Sequence, residues 1–232
     1  TAWGKQWMLR PGMPEVEARL VLRNGRIASL KLIQSPVQLS VSGQGSWPLR
    51  TQVVLARGNA GCTDACTEAI AAFTAIDVEL RGPITDVPSV RGLSAPLFVF
   101  ANGGDYGYQI VRLDSASRRV LLDGALAKVA DPFLRAMLWG TLWDEVRAAR
   151  LHPARFVRLV LHDLPSETDE QVAPSQLGRL GRAMNAYLVG AARDSLQATV
   201  EQFLWSGAGD TTRPYGIRRA YLDSYVSVAR TS

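Results

Sequence analysis

Few residues of this chain could carry chemistry. It has two histidines, His152 and His162, and two cysteines, Cys62 and Cys66. His162-Asp163 would supply the base and the orienting carboxylate of a nucleophilic triad. Neighbours on a helix do not face each other, however, and a triad is a matter of geometry. His162 sits at a predicted helix end and His152 precedes Pro153 at a helix start, so both read as structural. Cys62 and Cys66 lie four apart in Gly61-Cys62-Thr63-Asp64-Ala65-Cys66. Three states stay open for them: a disulfide, two free thiols, or a metal pair with only the two histidines left as further ligands. Asp144 and Glu145 are adjacent and point apart on a helix, unlike a working carboxylate pair. Glu167, Asp169 and Glu170 have a sufficient role at the positive end of a helix dipole.

The familiar catalytic motifs are missing. The sequence contains no H-E-x-x-H, no Walker A loop and no G-x-S-x-G elbow. Gly43-Gln44-Gly45-Ser46-Trp47-Pro48 lacks a third glycine and no helical pattern follows, so it reads as a loop. No catalytic, cofactor-binding or metal-binding residue is therefore assigned. A Cys62–Cys66 disulfide is the one candidate site bond.

Composition narrows the classes further. The chain has 232 residues, 47% hydrophobic and 20% charged, which is ordinary globular usage and fits one large domain or two small ones. No apolar run approaches the ~20 residues of a membrane helix, and no leader or lipidation motif is present. The first residue is Thr1, so the chain reads as a processed product or a cut piece. A soluble protein is expected, either cytoplasmic or, if Cys62 and Cys66 are bonded, periplasmic or secreted. The net charge is +5, spread evenly over both halves rather than gathered in a stripe. That argues against nucleic acid as a partner. Arg147/Arg150, Arg155/Arg158 and Arg218/Arg219 read as solvated helix faces.

The elements that must position these residues fall into two halves. Glu15 to Leu22 alternates Val16, Ala18, Leu20 and Leu22 against charged neighbours, the period of a half-buried strand. Asn24-Gly25 predicts a type I′ turn, with Ala28, Leu30 and Leu32 inward on the return strand. Leu49–Ala56, Thr74–Arg81, Leu97–Ala101 and Tyr108–Leu113 read as further strands, the last a return after Asn102-Gly103-Gly104-Asp105. From Asp131-Pro132 the period becomes helical. Phe133, Leu134, Met137, Leu138, Leu142 and Val146 form one stripe, widened by Trp139 and Trp143. Helices are expected from Pro153, from the Pro165–Glu170 segment and over Asp194–Trp205, this last closed by Gly207. A final one carries Ile217, Tyr221, Tyr225 and Val228. Trp139, Trp143 and Trp205 are expected in the core. Trp3 and Trp7 share one face of a short lead-in that docks on something. The fold class is α+β in two domains: an antiparallel β-sandwich over 1–114 and a helical bundle or α-solenoid over 115–232.

Several segments together resemble one family. Trp3-Gly4-Lys5-Gln6-Trp7, then Gly12-Met13-Pro14, resembles the segment leaving the catalytic domain in zinc aminopeptidases of the aminopeptidase N family. Val99 to Tyr108, closing in Arg112-Leu113-Asp114, is similar to the end of that family's β-sandwich. Leu138-Trp139-Gly140-Thr141-Leu142-Trp143-Asp144 is similar to the first long helix of its C-terminal domain, and Leu164 to Asp169 to the start of a later one. Residues 57–73 make a longer connection than that family is expected to have there.

The resemblance implies a β-sandwich and the start of a helical capping domain, taken from a protein that removes single residues from peptide N-termini. It implies zinc in the parent, held by H-E-x-x-H and a downstream glutamate in a catalytic domain this sequence does not include. The fragment itself would be inactive. Its partners would be the catalytic domain of the same polypeptide, the peptide substrate, and a second copy through an exposed face of the last helices. The alternative reading is a stand-alone peptide- or protein-binding module without enzyme activity. A third is an unrelated hydrolase using His162 with distant partners.

Overall fold

The computed structural model describes residues 4, 7–8, 11–37, 46–58 and 70–230. Two compact units divide the chain, Thr1–Ala125 and Leu126–Ser232. The expected α+β class is what the structure shows: two sheets, then helices.

The first unit opens with β1 (Pro14–Arg23) and β2 (Arg26–Pro36), an antiparallel hairpin in register from Pro14↔Pro36 to Arg23↔Arg26. Asn24 and Gly25 both have positive φ, 49° and 70°, as a type I′ turn requires. The register shifts between Val21 and Leu22, so Leu22 pairs with Ile27 and Ala28 is the extra residue. This bulge corrects the expected inward set. Ile27, Leu30, Leu32 and Gln34 are buried, whereas Ala28 is only half-buried.

β3 (Leu49–Gly58) and β4 (Ile70–Leu80) form a second antiparallel pair, joined on the other side of β3 by β6 (Phe98–Phe100). The first sheet is completed by β5 (Ile84–Asp86) beside β2 and β7 (Ile110–Arg112) beside β1. β7 runs parallel to β1. The Asn102 turn thus carries the chain from one sheet to the other instead of returning it as a hairpin. Phe98, Val99, Phe100 and Ala101 are all buried, which fits the fully apolar run. Trp47 is also fully buried, its backbone N–H donating to Gln34 Oε1 and its carbonyl accepting from Gln34 Nε2 at 2.9 Å. The first unit closes with α1 (Ser115–Val120), capped by Asp114, whose Oδ1 accepts from Ala116 and Ser117 N–H at 2.9 Å each.

The second unit holds α2 (Pro132–Arg147), α3 (Pro153–Asp163), α4 (Val172–Arg182), α5 (Gly190–Gly209) and α6 (Tyr215–Val228). Asp131 caps α2, accepting from Phe133 N–H at 2.9 Å, with Pro132 at the first helical position. Pro153 opens α3 as expected. The Pro165–Glu170 segment does not begin a helix. Leu164–Ser166 is a short 3₁₀ turn, and α4 starts at Val172, where Asp169 Oδ1 accepts from Gln171 and Val172 N–H at 2.8 and 2.9 Å. Gly207 does not close α5. It lies inside the helix, where a Cβ would fall 2.3 Å from the Tyr221 ring on α6. Trp139 and Trp143 are buried around Phe156, with centroids 5.8 and 5.2 Å away. Trp205 is not in the core: it is 62% exposed and leans on Tyr225 at 5.2 Å. Tyr225 of α6 covers only part of its ring.

Candidate functional site

The two segments carrying the resemblance in the first unit meet at one place. Trp7 Nε1 donates to the Pro48 carbonyl at 3.0 Å, and its ring stands edge-on to Tyr108 at 6.3 Å. Together with Leu49, Arg50, Leu80 and Tyr106 they line an open cleft of about 610 Å³. Tyr106 and Tyr108 are 62% and 70% exposed.

A buried polar latch builds this rim. Asn102, 2% exposed, donates through Nδ2 to the Gly107 carbonyl at 3.1 Å and accepts Gly107 N–H on Oδ1 at 3.2 Å. Thr51 Oγ1 donates to the Ala101 carbonyl at 2.6 Å, and Gln109 Nε2 donates to Thr51 Oγ1 at 2.9 Å. These bonds fix the Asn102–Gly107 turn on β3, and the two tyrosines project from it. A turn satisfied by a buried amide is rigid, because every unmade bond there would leave a desolvated polar group.

The charges around the cleft are already paired. Arg50 Nη2 donates to Asp77 Oδ2 at 2.5 Å, and Gln52 Nε2 donates to Asp77 Oδ1 at 3.2 Å. The Arg50 guanidinium, helped by the Gln52 amide, holds the Asp77 carboxyl below the usual carboxylate range. Arg81 Nη2 donates to Glu79 Oε2 at 2.6 Å. What remains open is an apolar floor with three aromatic rings. Such a surface takes apolar or aromatic groups; it holds no activated nucleophile.

The other sequence-stated candidates do not converge. Cys62 and Cys66 lie outside the described residues, as does Trp3. His152 caps α3, its Nδ1 accepting from Ala154 N–H at 3.2 Å. His162 and Asp163 do touch, against the expectation that neighbours diverge: Nδ1 and Oδ1 are 2.5 Å apart. The Asp163 side chain is 1% exposed and the His162 ring 77% exposed. Burial pushes the Asp163 carboxyl up, opposed by the hydrogen bond from His162. Asp144 and Glu145 do point apart. Asp144 accepts from Arg147 at 3.1 Å and is pushed up by burial, while fully buried Glu145 accepts from Arg150 Nε at 2.9 Å. Arg150 is therefore tied to a buried carboxylate and is not a solvated face.

One pair was not visible in the sequence. Arg135 on α2 grips Glu167 through Nε and Nη2 at 2.6 and 2.8 Å, with side chains 13% and 4% exposed. Glu167 Oε1 also accepts Thr168 and Asp169 N–H at 3.0 Å each. Glu167 is thus an ion-pair partner of α2 rather than a helix-start charge. The only hint was its place in the Leu164–Asp169 segment.

Among the described residues, no three of His, Cys, Asp and Glu come together where they could hold a metal ion. The described side chains do not fit a zinc site, and no step through zinc belongs to them. No helix among the described residues is long and apolar enough to cross a membrane.

The chain resembles known proteins. The model of the ERAP1-like C-terminal domain matches residues 98–209. Across 99% of its length, the chain is 26% identical to the protein named Aminopeptidase N from Streptomyces lividans. The aligned region is 26% of that protein, so the chain spans about a quarter of the curated relative it matches. The chain is thus similar to the ERAP1-like C-terminal domain and to a part of an aminopeptidase N.

Proposed function

We propose that this chain is the non-catalytic lid region of a zinc metallo-aminopeptidase that removes N-terminal residues from peptides. The observation that carries this reading is the match of 99% of the chain to about a quarter of an aminopeptidase. Zinc, the general base and the amine-recognising groups would all reside in a catalytic domain elsewhere in the same polypeptide. There the metal would activate water and polarise the scissile carbonyl. The helices of this chain would cap the peptide chamber, limiting substrate length and excluding bulk protein.

The cleft of Trp7, Tyr106 and Tyr108 fits this reading as the seat of the chain arriving from the catalytic domain. The apolar side chains left open on α5 and α6, Trp205, Leu222 and Val226, fit a contact with further protein, either the same polypeptide or a second copy. The purified chain should release no amino acid from peptide substrates, with or without added zinc. Steady release, surviving controls for contaminating protease, would overturn the proposal.

One observation favours the second reading, a stand-alone peptide-binding module: the aromatic cleft is open and its charges are internally paired. In that case apolar peptides should bind the purified chain, and Tyr108→Ala should abolish binding without affecting folding.

A further inference from the structure

The strand edges of the first unit are unequal. Three of them, β5, β6 and β7, are three residues long. The fourth edge is β4, eleven residues long and, among the described residues, paired only through β3. Natural sheets guard such an edge with lysine, proline, a bulge or brevity. The first seven residues of β4, Ile70-Ala71-Ala72-Phe73-Thr74-Ala75-Ile76, have no charge, no proline and no glycine. Within β4, acidic residues begin at Asp77. Ala71, Phe73 and Ala75 are exposed on one face; Ile70, Ala72, Thr74 and Ile76 are half-buried on the other.

This segment is nearly a palindrome. Antiparallel pairing with itself about Phe73 sets Ile70 against Ile76, Ala71 against Ala75, Ala72 against Thr74 and Phe73 against Phe73. Each pair shares one face; Ile, Ala and Phe meet their own kind, Ala72 against Thr74 being the one unlike pair, and two phenylalanines meet at the twofold axis. Asp77 and its symmetry mate stand eight residues apart along the strands, roughly 27 Å at ~3.4 Å per residue, so these two carboxylates do not meet. A second copy of this strand is therefore complementary to it. From this we infer that β4 is a self-association edge, over which two copies of the chain join their three-stranded sheets into one of six strands. An edge contact of seven residues buries less than the ~1,200 Å² typical of stable complexes, so the association is weak and concentration-dependent.

Sedimentation velocity of the chain, from micromolar to near-millimolar concentration, tests this. The mass should rise from 25.3 kDa toward twice that value. A71K/A75K places like charges opposite each other across the axis and should keep the chain monomeric. A71K/A75E places opposite charges there and should restore the dimer. Both positions are exposed, and an unchanged melting curve confirms the fold. Hydrogen exchange on the unsubstituted chain gives an independent reading: amides of 70–76 should gain protection as concentration rises. A chain monomeric throughout would overturn the inference. So would a dimer that survives A71K/A75K and is lost with Trp205→Ser, since association would then run through the helical face.

Discussion

The chemistry of single residues here is mostly that of satisfied burial. His162 and Asp163 illustrate it. Neighbours on a helix diverge in their Cβ directions but not in their polar ends. An imidazole on the last turn reaches across to the next carboxylate, and one partner stays exposed while the other is buried. Two other facts decide the pH response. Burial raises the Asp163 carboxyl above its ordinary ~3.9, and the groups around it are the His162 ring, Lys128 and the Ala127 N–H. A carboxyl whose folded pKa is raised binds its proton more tightly folded than unfolded. Its effect on stability is therefore most favourable at low pH and worsens as pH rises through the raised value. Denaturation of the native chain and of Asp163→Asn at a series of pH values should show this. The difference should move in favour of the variant as pH rises from about 4. A difference constant with pH would contradict the assignment.

The elements were legible where their signals were local. The β1/β2 hairpin is written in alternation and in Asn24-Gly25, and the α2 start in Asp131-Pro132. The bulge at Ala28 was not legible, because a strand shows its period but not its pairing partner. The parallel β1/β7 pairing failed to show for the same reason: Asn102 to Asp105 signals a turn without saying between which sheets. Trp205 falls on an apolar stripe, yet a stripe records spacing and not how far another element covers it. Glu167 shows the limit most clearly. Its partner Arg135 lies 32 residues away on α2 and binds it in two-pronged fashion within the protein. Arg135 also donates to the Val129 carbonyl at 2.6 Å, so the pair ties α2 to the segments on both sides of it. Removing one partner of such a pair strands the other charge. Glu167→Gln should cost about 3–5 kcal/mol in urea denaturation. A loss below about 1 kcal/mol, the range of exposed pairs, would show that water reaches the site freely.

At the scale of the molecule, the change of period puts a boundary near Asp114-Ser115, whereas the structure divides the chain between Ala125 and Leu126. The aromatic cleft was only half legible. Trp7 and the Asn102–Tyr108 segment each stood out, but their meeting spans 101 residues and rests on the Pro48 carbonyl, a partner no motif announces. The central claim is that this chain serves as the lid region of a larger peptidase. The most direct measurement is made on the native polypeptide carrying it, isolated from its source cells with an antibody to this chain. Intact mass, zinc content and release of N-terminal residues from peptides are read on the same sample. The account predicts a polypeptide several times heavier than 25.3 kDa, containing zinc and active on short peptides but not on folded proteins. A native product near 25.3 kDa, without zinc or peptidase activity, would contradict it and leave the binding module as the function of this fold.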